Sequence, residues 1–202
     1  SSPIVIVMHG HTCAGKTDLS KRIAAVHNVE LIQSCCIRQE LYPHLTDPDS
    51  YILTHREYRE SATHVYEIIH EKLAQSLRKC ETAIVVDGSY PFRQWRSSVY
   101  QIAHQQGARI VVIQCRCLDE AEIERRIRVR AADDSLLSTE RARTLDVYHS
   151  SIRDVEPLTE DELQAYGENA FIVHYDSLRN SFEFPTNVPD EIRTLMLCAG
   201  PR

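Results

Sequence analysis

Residues 10–17 read Gly-His-Thr-Cys-Ala-Gly-Lys-Thr, and this run satisfies G-x-x-x-x-G-K-[ST], the spacing of a phosphate-binding P-loop. The apolar run Ile4-Val5-Ile6-Val7-Met8 precedes it, and a helical pattern carrying Leu19, Ile23, Ala24 and Val26 follows. Strand, glycine loop and helix in that order are the setting such a loop requires. Gly10 and Gly15 let the backbone turn tightly and bring main-chain N–H groups up to an anion. Across His11, Thr12, Cys13 and Ala14 the backbone itself is then the phosphate ligand. A helix starting near Gly15 points its positive end at the same anion. Lys16 is placed to reach the β/γ-phosphates, and the Thr17 hydroxyl to ligate Mg²⁺. The motif therefore implies a nucleoside triphosphate and its magnesium.

The rest of the chain must build around this loop. Short Val/Ile/Leu-rich runs at Ile4–Met8, Val29–Gln33, Ala83–Val86, Ile110–Gln114 and Ala170–His174 read as strands covered on both faces. Between them lie helical patterns near 16–27, 55–79, 92–106, 119–131 and 138–153. In the longest, Tyr58, Ala62, Val65, Ile69, Leu73 and Leu77 form one apolar stripe at steps of three or four. The alternating order predicts an α/β, three-layer P-loop NTPase fold on a five-stranded parallel sheet, with ligands at the carboxyl ends of the strands. The stretches 42–54, 154–169 and 180–190 are polar and turn-rich and read as surface loops. Val188–Leu197 reads as a short closing helix. A chain of 202 residues, 43% apolar, suits a single domain over 1–202, with about 119–153 as a helical lid.

Composition excludes some classes. A net charge of −6 gives no global field for nucleic acid or an anionic membrane. No run of 18 apolar residues occurs, so no membrane helix is expected. No charged segment precedes an apolar one at the N-terminus, so no signal peptide is expected. The seven cysteines contain no C-x-x-C pair and read as reduced thiols of a cytoplasmic protein.

Other residues carry candidate chemistry. Asp87 closes the run Ala83–Val86, where a carboxylate beside a P-loop can hold the Mg²⁺ shell or orient a nucleophile. Arg126 and Arg130 are i, i+4 neighbours in Glu124–Arg130, and guanidinium groups stabilise the charge of a transferring phosphoryl group. Arg38 lies just beyond the second strand. Arg93 and Arg96 follow Asp87-Gly88-Ser89, and all three arginines are expected on the ligand side of the sheet, against an anionic substrate. Asp18 reads as a helix-dipole partner. His9 and His11 flank Gly10 and are read first as packing residues; nothing groups the ten histidines into a metal site.

Together, the P-loop, Arg38, Asp87-x-Ser89 with Arg96, the Arg126/Arg130 pair and Glu156-Pro157-Leu158 resemble a known group. It is the small bacterial P-loop kinases related to polynucleotide kinase, zeta toxin and chloramphenicol phosphotransferase, over about residues 3–178. The resemblance implies an adenylate-kinase-like sheet, ATP and Mg²⁺ as cofactors, and phosphoryl transfer to a hydroxyl. It places Gly15, Lys16 and Thr17 on phosphate and Mg²⁺, Arg126 and Arg130 in a lid over ATP, and Arg38 and Arg96 on the acceptor. One departure stands out. Many members carry Ser-Asp-x-Ile/Leu-Arg after strand two, with the Asp activating the acceptor hydroxyl, and here Cys35 occupies that place. A thiol with a pKa near 8.5 does not simply replace a carboxylate ionised at pH 7. Asp87 is one substitute base; Asp47 or Asp49 from the following loop is another.

The leading expectation is an ATP- and Mg-dependent kinase whose acceptor is a hydroxyl-bearing small molecule. One alternative acceptor is a 5′-hydroxyl end of RNA or DNA, stacked on Tyr90 and Trp95 near Arg38, Arg93 and Arg96. Another reading is a nucleotide-binding regulatory protein without transfer. The absence of an Asn-Lys-x-Asp run argues against a GTPase.

Overall fold

The computed structural model describes residues 2–43, 55–80, 82–136 and 144–197. The elements are β1 (Ile4–His9), α1 (Lys16–His27), β2 (Glu30–Gln33), α2 (Ser34–Leu41), α3 (His55–Leu77), β3 (Ala83–Asp87), α4 (Arg93–Gln105), β4 (Arg109–Arg116), α5 (Glu120–Ala131), α6 (Leu145–Arg153), β5 (Ala170–Asp176), β6 (Ser181–Glu183) and α7 (Asp190–Leu197). They form a sheet in the order β2-β3-β1-β4-β5-β6. The first five strands in that order run parallel, so His9, Gln33, Asp87, Arg116 and Asp176 all end at one side. The three-layer α/β P-loop fold is the one the sequence predicts.

Alternating strand residues sort the core into two layers. On one face Val5, Val7, Ile84, Val86, Ile110 and Val112 pack with Val65, Ile69 and Leu73 of α3 and Val99 and Ala103 of α4. On the other, Ile4, Ile6, Met8, Val85, Val111 and Ile113 pack with Leu19 and Ile23 of α1 and Ile192 and Met196 of α7. Every residue of β1 is buried, as the central strand of a doubly covered sheet must be. Each aliphatic side chain so buried contributes about 1.5–3 kcal/mol.

Three features differ from the sequence reading. A sixth strand, β6, pairs antiparallel with β5 through Tyr175↔Phe182; at three residues it is too short for an alternation pattern to register. Helix α2 starts on the residue after β2, with Gln33 in extended geometry as its cap. The stretch 154–169 holds two short 3₁₀ turns, Glu160–Glu162 and Gln164–Asn169. The expected helix 138–153 is described from Leu145 onward, where the Thr144 hydroxyl accepts the Val147 N–H at 3.2 Å; 138–143 lie outside the described residues.

One buried ion pair fixes the edge of the ligand side. Arg96 and Glu162 form a two-pronged pair at 2.6 and 2.9 Å, with side-chain exposures of 0% and 1%. Arg96 also donates to the carbonyls of Tyr90 and Pro157. The Tyr100 hydroxyl reaches Glu162 at 3.4 Å. Desolvating two charges is costly, and these extra hydrogen bonds offset that cost. Removing one partner strands the other, so Glu162→Gln should lower unfolding free energy by about 3–5 kcal/mol in urea denaturation, and Arg96→Met combined with Glu162→Leu should recover most of that loss. A Glu162→Gln variant of wild-type stability would contradict this.

Candidate active site

The loop between β1 and α1 has the shape its glycines allow. Gly10 and Gly15 have φ of +147° and +94°. A Cβ on Gly10 would stand 2.4 Å from the Cys115 carbonyl oxygen, and one on Gly15 would stand 2.7 Å from Ser177 Cβ. Cys13 takes a left-handed conformation between them, at φ +61°. Lys16 folds back so that Nζ donates to the His11 carbonyl at 2.7 Å.

Beneath the loop, two histidines are held neutral. His9 Nδ1 lies 3.1 Å from the carbonyls of both Ser89 and Tyr90. Burial, with Arg96 and Lys16 nearby, pushes its pKa down to about 4. His11 Nδ1 lies 2.8 Å from the Thr12 carbonyl, and Nε2 lies 3.2 Å from the Cys117 N–H. One ring nitrogen must donate and the other accept, which assigns the Nδ1-protonated neutral ring. Burial lowers the His11 pKa as well. The His11 side chain therefore supports the loop and does not face the ligand side.

Above the loop lies a cavity of about 580 Å³. Gly10, Thr12–Thr17, Asp87, Ser89 and Arg130 line the part next to the loop, and Ser34, Cys35, Arg38, Tyr66, Phe92 and Trp95 the far part. Asp87 is buried and accepts a hydrogen bond from Gln33 Nε2 at 3.2 Å. Tyr66 and Trp95 stack at 4.2 Å, and Phe92 meets Trp95 edge-on at 4.8 Å, making an aromatic wall. Arg38 is only 7% exposed yet lines the cavity. The single cavity thus joins phosphate-binding backbone, a carboxylate, cations and an apolar wall.

Several candidate residues fall elsewhere. Arg96 is sealed against Glu162 and does not line the cavity, because its face of α4 also carries Val99, Tyr100 and Ala103 into the core. Arg93 points outward, paired with Asp161 at 2.7 Å. Tyr90 is fully buried and offers no stacking face. Arg126 grips the outside of the loop: it donates to the Cys13 carbonyl at 3.0 Å and the Ser177 hydroxyl at 2.7 Å, and pairs with Glu122. Of the two helical arginines only Arg130 faces the cavity. Asp47 and Asp49 lie outside the described residues. The sequence reading passed over Asp146, Ser150, Ser151, Arg153 and Asp154, which add a polar face of α6 to the cavity. The i, i+4, i+7 spacing of Asp146, Ser150 and Arg153 was the signal for those three.

The donor set suits Mg²⁺. Thr17 and Asp87 supply hard oxygens to the same cavity, and Mg²⁺ is typically held by one or two protein oxygens, phosphates and water. No cluster of three metal-ligating side chains exists among the described residues, and such a site needs none. No described helix is long and apolar enough to cross a membrane.

Comparison with known proteins agrees with this fold. Residues 5–154 match the family described as an AAA domain, and the chain belongs to that family. No curated protein matches the sequence. A gluconokinase from Sinorhizobium meliloti is 16% identical with a TM-score of 0.57, over 98% of this chain and 91% of its own. A structure from the PezAT toxin–antitoxin system of Streptococcus pneumoniae is 15% identical with a TM-score of 0.57, over 96% and 78%. Chaetomium thermophilum Kti12 in complex with ADP-AlF3 is 13% identical with a TM-score of 0.52, over 95% of each chain. At these identities the likeness is one of fold.

Two outcomes follow from the loop. Gly10→Ala should weaken binding of an ATP analogue by about 10–100-fold in calorimetric titration, since the added Cβ forces strain into the loop; wild-type affinity would contradict the close approach to Cys115. The second concerns pH. Desolvation pushes both His9 and the half-buried His70 down to about 4 in the folded chain, against about 6.5 unfolded. Between those values the unfolded state binds more protons. Stability should therefore fall as pH drops from 6.5 toward 4, with a slope approaching about 1.4 kcal/mol per pH unit per histidine. Denaturation midpoints measured across that range check it, and His70→Gln should flatten part of the slope.

Proposed function

We propose that the chain is a kinase that binds Mg·ATP on the loop of residues 10–17 and transfers the γ-phosphate to a hydroxyl of a small molecule held in the far part of the cavity. The observation that carries this reading is the shared cavity itself: Lys16, Thr17 and Asp87 open onto the same space as Arg38, Phe92 and Trp95. A phosphate donor and a hydroxyl acceptor can meet there without crossing solvent. The fold likeness to a gluconokinase adds support from a protein whose name states such an activity.

In this reading the loop amides and Lys16 hold the β/γ-phosphates, and Arg130 faces the transferring group. Mg²⁺, held by Thr17 and Asp87, would neutralise phosphate charge. Asp87 also accepts or orients the acceptor hydroxyl proton, with Gln33 fixing its carboxylate. Arg38 binds an anionic group of the acceptor, and Ser89 and Cys35 contact its polar edge. Arg126 acts through the Cys13 carbonyl, holding the loop in shape. The aromatic wall keeps a second acceptor class in view, a 5′-hydroxyl nucleic-acid end with its base on Trp95.

A second reading is nucleotide binding without transfer. Cys35 favours it, since it lines the cavity where the resembling kinases place a carboxylate.

The test is transfer of label from γ-³²P-ATP with Mg²⁺ to a panel of sugars, nucleosides, aminoglycosides and 5′-hydroxyl oligonucleotides. One acceptor class should be labelled, and Lys16→Ala should abolish the transfer. Asp87→Asn should cut kcat about 10²–10⁴-fold with ATP affinity largely kept. Tight ATP binding with no acceptor labelled, and no gain from Cys35→Asp, would favour the second reading.

A further inference from the structure

The peptide unit joining His11 to Thr12 is clamped from both sides. Its carbonyl accepts from Lys16 Nζ at 2.7 Å. Its N–H donates to Ser151 Oγ of α6 at 2.9 Å. The Ser151 hydroxyl proton is committed elsewhere, to the Tyr148 carbonyl at 2.7 Å. Toward the loop, Ser151 therefore presents only an oxygen lone pair, the same chemistry a phosphate oxygen would present. The contact bridges two elements far apart in sequence, and Ser151 and Thr12 both line the cavity.

We propose that Ser151 is a further residue of the nucleotide site: its hydroxyl stands in for a terminal-phosphate oxygen at Thr12 N–H, tying helix α6 to the loop until a triphosphate takes that amide. The proposal rests on the nucleotide reading above. The position of the amide supports a terminal-phosphate assignment. Lys16 is the side chain that reaches the β/γ-phosphates in such loops, and its ammonium already touches the carbonyl of the same peptide unit. A charged phosphate oxygen bonds an N–H about twice as strongly as a neutral hydroxyl does, so the exchange favours the nucleotide. Helix α6 keeps its other anchors when the bond is lost. Tyr148 packs with Cys13, Cys117 and Ile123, and its ring meets His11 edge-on at 5.3 Å. The exchange therefore loosens the last turn of α6 and leaves its middle in place. That turn carries Ser150 and Arg153, with Asp154 just beyond, all lining the cavity, so occupation of the terminal-phosphate position is communicated to the side chains across from it.

Two measurements on the full chain decide the matter. Calorimetric titration of wild type, Ser151→Ala and Ser151→Thr with Mg·AMPPNP and with Mg·ADP is the first. Removing the competing hydroxyl should tighten AMPPNP binding by about 2- to 10-fold, change ADP binding by less than about twofold, and leave the threonine variant near wild type. Hydrogen exchange is the second: amides in residues 150–153 should exchange faster with AMPPNP bound than with ADP bound, while those around Tyr148 should not. Weaker AMPPNP binding by Ser151→Ala, or equal shifts for both nucleotides, would overturn the proposal while leaving the nucleotide reading intact. A wild-type chain that binds neither nucleotide would overturn both.

Discussion

The gap between Gly10 and the Cys115 carbonyl is the constraint on which the site depends. It leaves no room for a Cβ, so the end of β1 and the end of β4 meet at a distance only glycine permits. That approach is possible because β1 lies between β3 and β4 in register, Val7 against Val86 and His9 against Gln114. The same register puts Asp87 beside the loop and Gln33 beside Asp87. Burial of β1 on both faces thus converts apolar area into a precise relation among a phosphate loop, a carboxylate and its orienting amide.

The far part of the cavity depends on a different kind of interaction. Its aromatic wall joins Tyr66 of α3 to Phe92 and Trp95 at the start of α4, and the 154–163 stretch fastens that start. Glu156 accepts the Arg93 N–H at 2.6 Å, the Glu156 N–H donates to the Pro91 carbonyl, and Arg96 locks Glu162. The loop side is thus shaped mainly by backbone, and the wall side by side-chain contacts, of which the Arg96–Glu162 pair is the buried one. This division matches the proposed roles. Phosphate recognition calls for fixed N–H groups, whereas an acceptor surface is set by side chains.

What was legible in the sequence follows the range of the interactions. Residues 10–17 were readable because their function is encoded locally, in backbone conformations that glycine alone supplies. The parallel strands were readable because burial on both faces leaves a continuous apolar run. Arg96 was misplaced because its partner, Glu162, lies 66 residues away, and an arginine after a strand end has the same local pattern whether it faces substrate or core. Arg126 and Arg130 share a helical face in one dimension, yet one grips the loop from outside and the other faces the cavity. Ser151 left no trace for the same reason, since its partner amide is 139 residues away. The departure at Cys35 was visible as a residue type, and the structure adds that the thiol lines the cavity.

The central claim is that one cavity holds both donor and acceptor, and a crystal structure with Mg²⁺, ADP and aluminium fluoride tests it most directly. The account predicts phosphates on the amides of residues 12–17, Mg²⁺ on Thr17 and next to Asp87, and the fluoride facing the wall of Arg38, Phe92 and Trp95. A nucleotide bound away from the loop, or a fluoride facing open solvent with the wall on the other side, would contradict it.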